Sequence, residues 1–351
     1  MSDAASDSVD ETLHAQAVVC AAYGSPFYGV LLDEAAKDYR SRGPVRAFFK
    51  ADPRRRHASR IGIRLAGALQ LRALDGSAPQ LAAHFPSTGG DGDAAAAWRE
   101  ARKLLNDDAA RFGEPFDRTP QTNEVARSMP LLGGLLAIVD ATRLPVALLD
   151  VGSSAGLNLR LDRYRYEGDG WSWGDARSPL VLRNEIVSGR PAHLDVRPDV
   201  VARTGCDLHP LDVMRESDCL ALRSFVWPDQ FERFARLDAA IAVARRVPAR
   251  IERADFLQWI PQRALPRKNT VTVVMHSVVT EHLEESVHDA MRAAIETACR
   301  AATAAAPMAW LRLEPVAGMR YETRVTLWPS REERVIAHCN GHAQAIEWAR
   351  S

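Results

Sequence analysis

A chain of 351 residues is long enough for one large domain or two ordinary ones, and its 46% hydrophobic content supplies a sizeable core. Lys and Arg total 45, as do Asp and Glu, so bulk charge argues against a nucleic-acid partner held on a basic face. The acidic opening MSDAASDSVDETLHAQ has no basic segment before an apolar one, which reads as no secretory signal, and the longest nearly apolar run, MPLLGGLLAIVDA, is too short for a bilayer span.

In chain order, residues 1–140 read as mostly helical. Ala- and Leu-rich sequence from Glu11 to Tyr39 breaks at Gly24-Ser25-Pro26, where Ser25 suits an N-cap and Pro26 the first helical position. Residues 59–74 carry apolar side chains at helical spacing. STGGDGD (87–93) reads as a loop, with a helix over AAAAWREARKLLNDDAARFG after it. Thr122 or Asn123 suits the cap of the leucine-rich helix LLGGLLAIV, with Glu124 completing the capping arrangement.

From Val146 the texture changes. VALLDV (146–151) has the pattern of a buried strand, AGLNLRLDRY that of a helix, and residues 163–182 that of a hairpin or ordered loop. Further strands are expected at 199–208, 247–257, 270–279 and 308–315, with helices from about Pro228 to Arg246 and over 281–305. The closing runs RYETRVTLW and ERVIAHCNGHAQAIEW pair as an antiparallel hairpin at the sheet edge. Alternating strands and helices predict an α/β fold with a mainly parallel sheet. The expected division is a helical N-terminal cap over 1–140 and an α/β domain over 141–351, with an insertion at about 163–198. Cys20, Cys206, Cys219, Cys299 and Cys339 have no metal or redox spacing and read as free thiols in a reducing cytoplasm.

LLDVGSSAGLNL (148–159) contains two active-site patterns. Gly152, Ser154 and Gly156 spell G-x-S-x-G, the turn that exposes a nucleophilic serine, for which Asp255 and His276 or His282 would complete a triad. Asp150, Gly152 and Gly156 spell a strand-to-helix turn that receives a nucleotide-like cofactor. A hydrolase serine follows several strands, whereas here the preceding residues are helical and no H-G-G-G stretch offers an oxyanion hole. The cofactor pattern suits a first parallel strand, with Ser153 and Ser154 as hydroxyl donors. Asp207 after the second strand suits ribose hydroxyls, and Asp255-Phe256 after the third suits an adenine ring.

These residues carry a resemblance. LLDVGSSAGLNL resembles motif I of class I S-adenosylmethionine-dependent methyltransferases, and QTNEVARS, GSSAGLNLRLDRY, GCDLHPLD and MHSVV together resemble a bacterial family of uncharacterised proteins over most of the chain. The resemblance implies a Rossmann-like methyltransferase sheet and an S-adenosylmethionine site at Asp150, Gly152, Ser153, Ser154, Gly156, Asp207, Asp255 and Phe256. Ser154 stands where the motif usually has a third glycine, and His276-Ser277 stands where an N/D-P-P-Y sequence would mark amide methylation.

His276 ends an apolar strand where a general base would face the reaction centre, and Glu124 is the alternative base, with Arg127 beside it. Asn123, His209, Ser277, Trp171 and Trp173 are candidate substrate contacts, the two tryptophans sharing one strand face as a stacking surface. The expected function is methyl transfer to a small or medium polar acceptor, with no metal, nucleic-acid or membrane partner. The alternatives are a non-catalytic nucleotide- or partner-binding descendant of the fold and a serine esterase using Ser154.

Overall fold

The computed structural model describes residues 9–317 and 320–349; residues 1–8, half of the acidic opening, lie outside the described residues. Two compact units divide the chain: Met1–Thr122 with Arg215–Ala235, and Asn123–Met214 with Arg236–Ser351. The division expected near residue 140 thus falls before Asn123, and a later segment joins the first unit.

The first unit is helical: α1 (Val9–Ala22), α2 (Pro26–Arg40), α3 (Pro44–Ala51), α4 (Ile61–Leu74), α5 (Pro79–Ala82), α6 (Ala94–Asp107), α7 (Gly113–Asp117) and, from the later segment, α9 (Glu216–Ser224). Ser25 caps α2 by accepting the Tyr28 amide, as its sequence predicts, and Asp93 caps α6 through the Ala96 amide. Phe48, Phe49 and Phe116 meet edge to face with centroids 5.3–5.5 Å apart, the arrangement favoured by ring quadrupoles. Buried Gln70 accepts from the Tyr28 hydroxyl at 2.5 Å and donates to the Arg223 and Val226 carbonyls, which is how the later segment is built into this core.

The second unit contains α8 (Ser128–Thr142), β1 (Val146–Val151), β2 (Arg165–Gly168), β3 (Trp171–Trp173), β4 (Val181–Leu182), β5 (Ile186–Ser188), β6 (Val200–Asp207), the greater part of α10 (Phe231–Arg246), β7 (Arg250–Arg253), α11 (Phe256–Arg263), β8 (Val271–Ser277), α12 (Glu285–Cys299), β9 (Met308–Val316), β10 (Arg320–Trp328), β11 (Glu332–Cys339) and β12 (Ile346–Trp348). Among the described residues nine strands form one sheet in the order β5-β12-β11-β10-β9-β8-β1-β6-β7. β7, β6, β1, β8 and β9 are parallel, and β9, β10, β11 and β12 form an antiparallel meander. The fold is therefore mixed α/β with a large, mostly parallel sheet.

Every residue of β1 is buried, Asp150 included, as its largely apolar run predicts for a strand flanked on both sides. α8 lies close on the sheet because it carries Gly133 and Gly134: a Cβ at either would fall 2.4 Å from Trp348 and 2.3 Å from Leu311. The apolar stretch Val125–Thr142 is 78% buried within the protein, so its surface is matched by protein contacts.

Three expectations are corrected. The helix expected after β1 is a 3-10 segment, Leu157–Arg163, kinked at Arg160. Buried Arg160 folds back onto the Gly156 and Val247 carbonyls, and Asp162 is held by a two-pronged contact from Arg203, so side-chain bonds override helix propensity. The hairpin of β10 and β11 is present but is not the edge: β12 and β5 lie beyond it, β5 arriving from the insertion to pair parallel with β12. α9 and α11 were not expected; α11 occupies the end of the predicted 247–257 strand, because Asp255 caps a helix there.

Candidate functional site

The order β7-β6-β1-β8-β9 reverses between β1 and β8. In an open α/β sheet such a reversal leaves a crevice beyond the carboxyl ends of the strands, where ligands bind. Loop 152–156 closes β1 at this point. Gly152, Ser154 and Gly156 all lie in the left-handed region, at φ 68°, 53° and 68°. The loop is tied to β6 by the Ser153 amide on the Cys206 carbonyl (2.9 Å) and the Ser154 amide on Asp207 Oδ2 (2.9 Å). Gly205 on β6 makes room for it, since a Cβ there would sit 2.5 Å from Ser153 Oγ. That glycine within a strand pattern is a sequence signal of close approach.

The expected cofactor residues converge only in part. Asp150 is buried; burial and the nearby Asp207 carboxylate push its carboxyl well above the usual range, with Arg160 opposing. Ser154 Oγ is buried without a hydrogen-bond partner. Asp207 Oδ1 also accepts the His209 amide (2.8 Å), which shapes the turn after β6 and leaves the His209 residue exposed. Asp255 is exposed and caps α11 by accepting the Leu257 amide, with Phe256 packed against the core of this unit. The space spared at Gly152 and Gly156 is taken by the protein itself: a Cβ at Gly152 would meet Val279 at 2.8 Å, and one at Gly156 would meet Ile251 at 2.5 Å. Those glycines serve internal packing rather than an open cradle.

His276 is corrected most clearly. It is 1% exposed, and both ring nitrogens are committed. The Trp310 indole N–H donates to Nε2 at 2.8 Å; an indole nitrogen only donates, so Nε2 is the unprotonated atom. The proton therefore sits on Nδ1, 2.5 Å from Glu314 Oε1. Glu314 also accepts from the Val279 amide, the Thr280 amide and the Thr280 hydroxyl. Burial pushes the Glu314 carboxyl up, but His276, Thr280 and Val279 outweigh it and hold it below the usual glutamate range. A ring so engaged is a structural link and not a base open to substrate. Register explains this: β9 lies beside β8 with Arg312 opposite His276, so Trp310 and Glu314 are its diagonal neighbours. Ser277, next along, ends β8 half-buried.

Asn123, Glu124 and Arg127 lie close together in this unit. Asn123 Oδ1 accepts the Leu157 amide at 3.0 Å, and Ser128 Oγ donates to Asn158 at 2.8 Å, so the 121–128 segment is fastened to the loop after β1. Glu124, buried, caps the 3-10 turn Val125–Arg127 through the Ala126 amide and lies 3.6 Å from His342 Nδ1. Arg127, also buried, donates to the Gly341 carbonyl at 2.9 Å. Tyr321 donates to Glu281 at 2.6 Å, and burial together with that carboxylate pushes the phenol well above its usual range. Tyr321, Glu281, His342 and Glu314 were not anticipated, because each comes from a strand end or loop far away in sequence.

Trp171 and Trp173 do not form an open stacking surface. Both are buried in the small sheet β3-β2-β4; Trp173 donates to the Val196 carbonyl and carries the Arg197 guanidinium over its ring. The serine triad is not assembled either: Ser154 Oγ has no imidazole on it, Asp255 caps a helix and His276 is engaged.

A cleft of about 420 Å³ opens on the face of β8–β10 beside α12, and His276, Thr280 and Glu314 are among its lining residues. Arg312 lies over the Trp310 ring at 4.1 Å and donates to Thr326 and Glu333, while Arg324 is bonded to Glu322 and Glu333. Burial pushes Glu333 up, but Arg312, Arg324 and Thr326 prevail and bring it down to about 2.

Residues 10–348 match the family described as an uncharacterised protein conserved in bacteria, DUF2332. The chain belongs to the DUF2332 family. The match spans both compact units, so the helical unit is as much a part of the family as the sheet. No curated protein matches the chain.

Proposed function

We propose that the second unit binds S-adenosylmethionine beyond the carboxyl ends of β1, β6 and β7 and supports methyl transfer to a small polar acceptor. One observation carries the reading: the strand order reverses beside β1, and there the chain turns through a left-handed loop bearing the D-x-G-x-x-x-G pattern. The donor set is compatible with an adenosyl ligand. Ser154 has a buried hydroxyl with no partner, Asp207 stands next to it, and Asp255-Phe256 follows β7. Gly152 and Gly156 add nothing to that fit, since Val279 and Ile251 fill their space.

When bound, the ligand would supply an electrophilic methyl group. The chain would contribute orientation: Ser154 and Asp207 toward the ribose, Asp255 and Phe256 toward the base, Glu124 and Arg127 toward the acceptor. Positioning is the main demand of such a transfer. The five described cysteines are free and buried, in keeping with a cytoplasmic setting. A second reading, binding without turnover, is favoured by one feature: His276, the base expected from its strand-end position, is already engaged at both nitrogens.

Calorimetric titration with S-adenosylmethionine tests the proposal. Binding is expected, weakened about tenfold in Ser154→Ala, the loss of one hydrogen bond. No heat and no thermal shift at millimolar ligand removes it. Binding without methyl transfer to any of a panel of polar acceptors selects the second reading.

A further inference from the structure

Val278, the first residue after β8, has φ 56°. A β-branched side chain is rarely found in that region, and such outliers gather at functional sites. The segment that follows is pinned by a dense set of bonds. The Val278 amide donates to the Leu313 carbonyl, those of Val279 and Thr280 to Glu314, and Glu281 accepts from Tyr321. Glu314 is in turn braced by His276, and His276 by Trp310. The outcome of this chain of contacts is the position of Val279, whose side chain lies over Gly152, 2.8 Å from where a Cβ would stand.

We infer that residues 278–282 are a strap over the β1 loop, and that Glu314 is the positioning residue holding it there. Glu314 directs three of its four contacts at backbone and hydroxyl donors of one short segment, an arrangement that orients the segment. The strained Val278 makes the seated position one that relaxes when Glu314 lets go. In the methyl-donor reading, on which this part rests, the strap lies over the start of the loop that bears Ser154, so loosening it raises affinity.

Hydrogen exchange resolved to peptides, on the full chain, tests the strap without any ligand. Glu314→Gln is expected to speed exchange at least tenfold in 278–282 and in the β1 loop 152–156, leaving β10 and the helical unit unchanged. Val279→Ala keeps the Glu314 bonds and opens only the space above Gly152; exchange should quicken in 152–156 alone. Unchanged exchange in both segments overturns the inference, as does a uniform rise across the second unit, which is simple destabilisation. S-adenosylmethionine is then titrated into each variant. Severalfold tighter binding to Val279→Ala supports the strap as a barrier to entry, and weaker binding overturns that role. Quickened exchange with no binding to any form removes the methyl-donor reading and upholds the strap.

Discussion

Asp150, buried, and Glu314, half-buried, are carboxyl groups near strand ends, yet their pKa values shift in opposite directions. Burial and Asp207 disfavour the charged form of Asp150, whereas Glu314 has four donors that stabilise its charge. Their contributions to stability have opposite signs. The folded chain keeps a proton on Asp150 that the unfolded chain releases above about pH 3.9, so this group's contribution falls as pH rises from there toward the raised folded value. Glu314 contributes above the unfolded glutamate value, and that contribution is lost as pH drops through its lowered folded value. Asp150→Asn removes the first titration at nearly constant shape. The variant is expected to be more stable than the parent at pH 8, with a smaller gain at pH 5. Urea denaturation at the two pH values measures this, and a variant less stable at pH 8 contradicts it. Asp150 was legible as a residue of interest because it ends an apolar strand. Its protonation was not, since that depends on Asp207, 57 positions along the chain.

At the scale of elements, β9 and β10 place Arg312 directly opposite Arg324, a like-charge pair that destabilises a sheet unless it is neutralised. Glu333 on β11 neutralises both. Glu333→Gln is expected to lower stability by about 1 kcal/mol, with the loss shrinking in 1 M salt as the arginines are screened. Thermal unfolding at low and high salt reads this, and a salt-independent loss would count against it. The strong elements were readable from periodicity: β1, β8, β9, β10, α2, α4, α6 and α12 fall where apolar spacing puts them. The helix expected after β1 was not obtained, because Arg160 and Asp162 sit at helix-compatible positions but bond instead to Gly156, Val247 and Arg203. Those partners come together only after β6 pairs with β1.

For the whole molecule, the helical unit has a core of its own, and that core draws on Trp227 from a segment far along the chain. Gln70 is the test of that arrangement. Gln70→Leu leaves the Arg223 and Val226 carbonyls short of a buried donor and the Tyr28 hydroxyl with the Ala66 carbonyl alone, and a loss of about 2–4 kcal/mol is expected. Denaturant unfolding followed by circular dichroism measures it; an unchanged midpoint would show that water or rearranged neighbours replace the amide. Composition had indicated enough apolar residues for such cores, and the change of texture near Val146 had separated helical from α/β sequence. Neither revealed that residues 215–235 return to the helical unit, because an amphipathic helix reads the same whichever core it covers.

By itself the sequence determined the class of fold, the first buried strand and the glycine-bearing turn after it, since these rest on local periodicity and on backbone conformations that glycine favours. Tertiary structure alone decided which strands are neighbours, and with that the fate of the site residues. His276 became a link between Trp310 and Glu314, Gly152 came to lie under Val279, and Asp150 came to lie buried near Asp207. Each outcome depends on groups brought within a few ångströms by strand pairing, and a linear pattern carries no record of those distances.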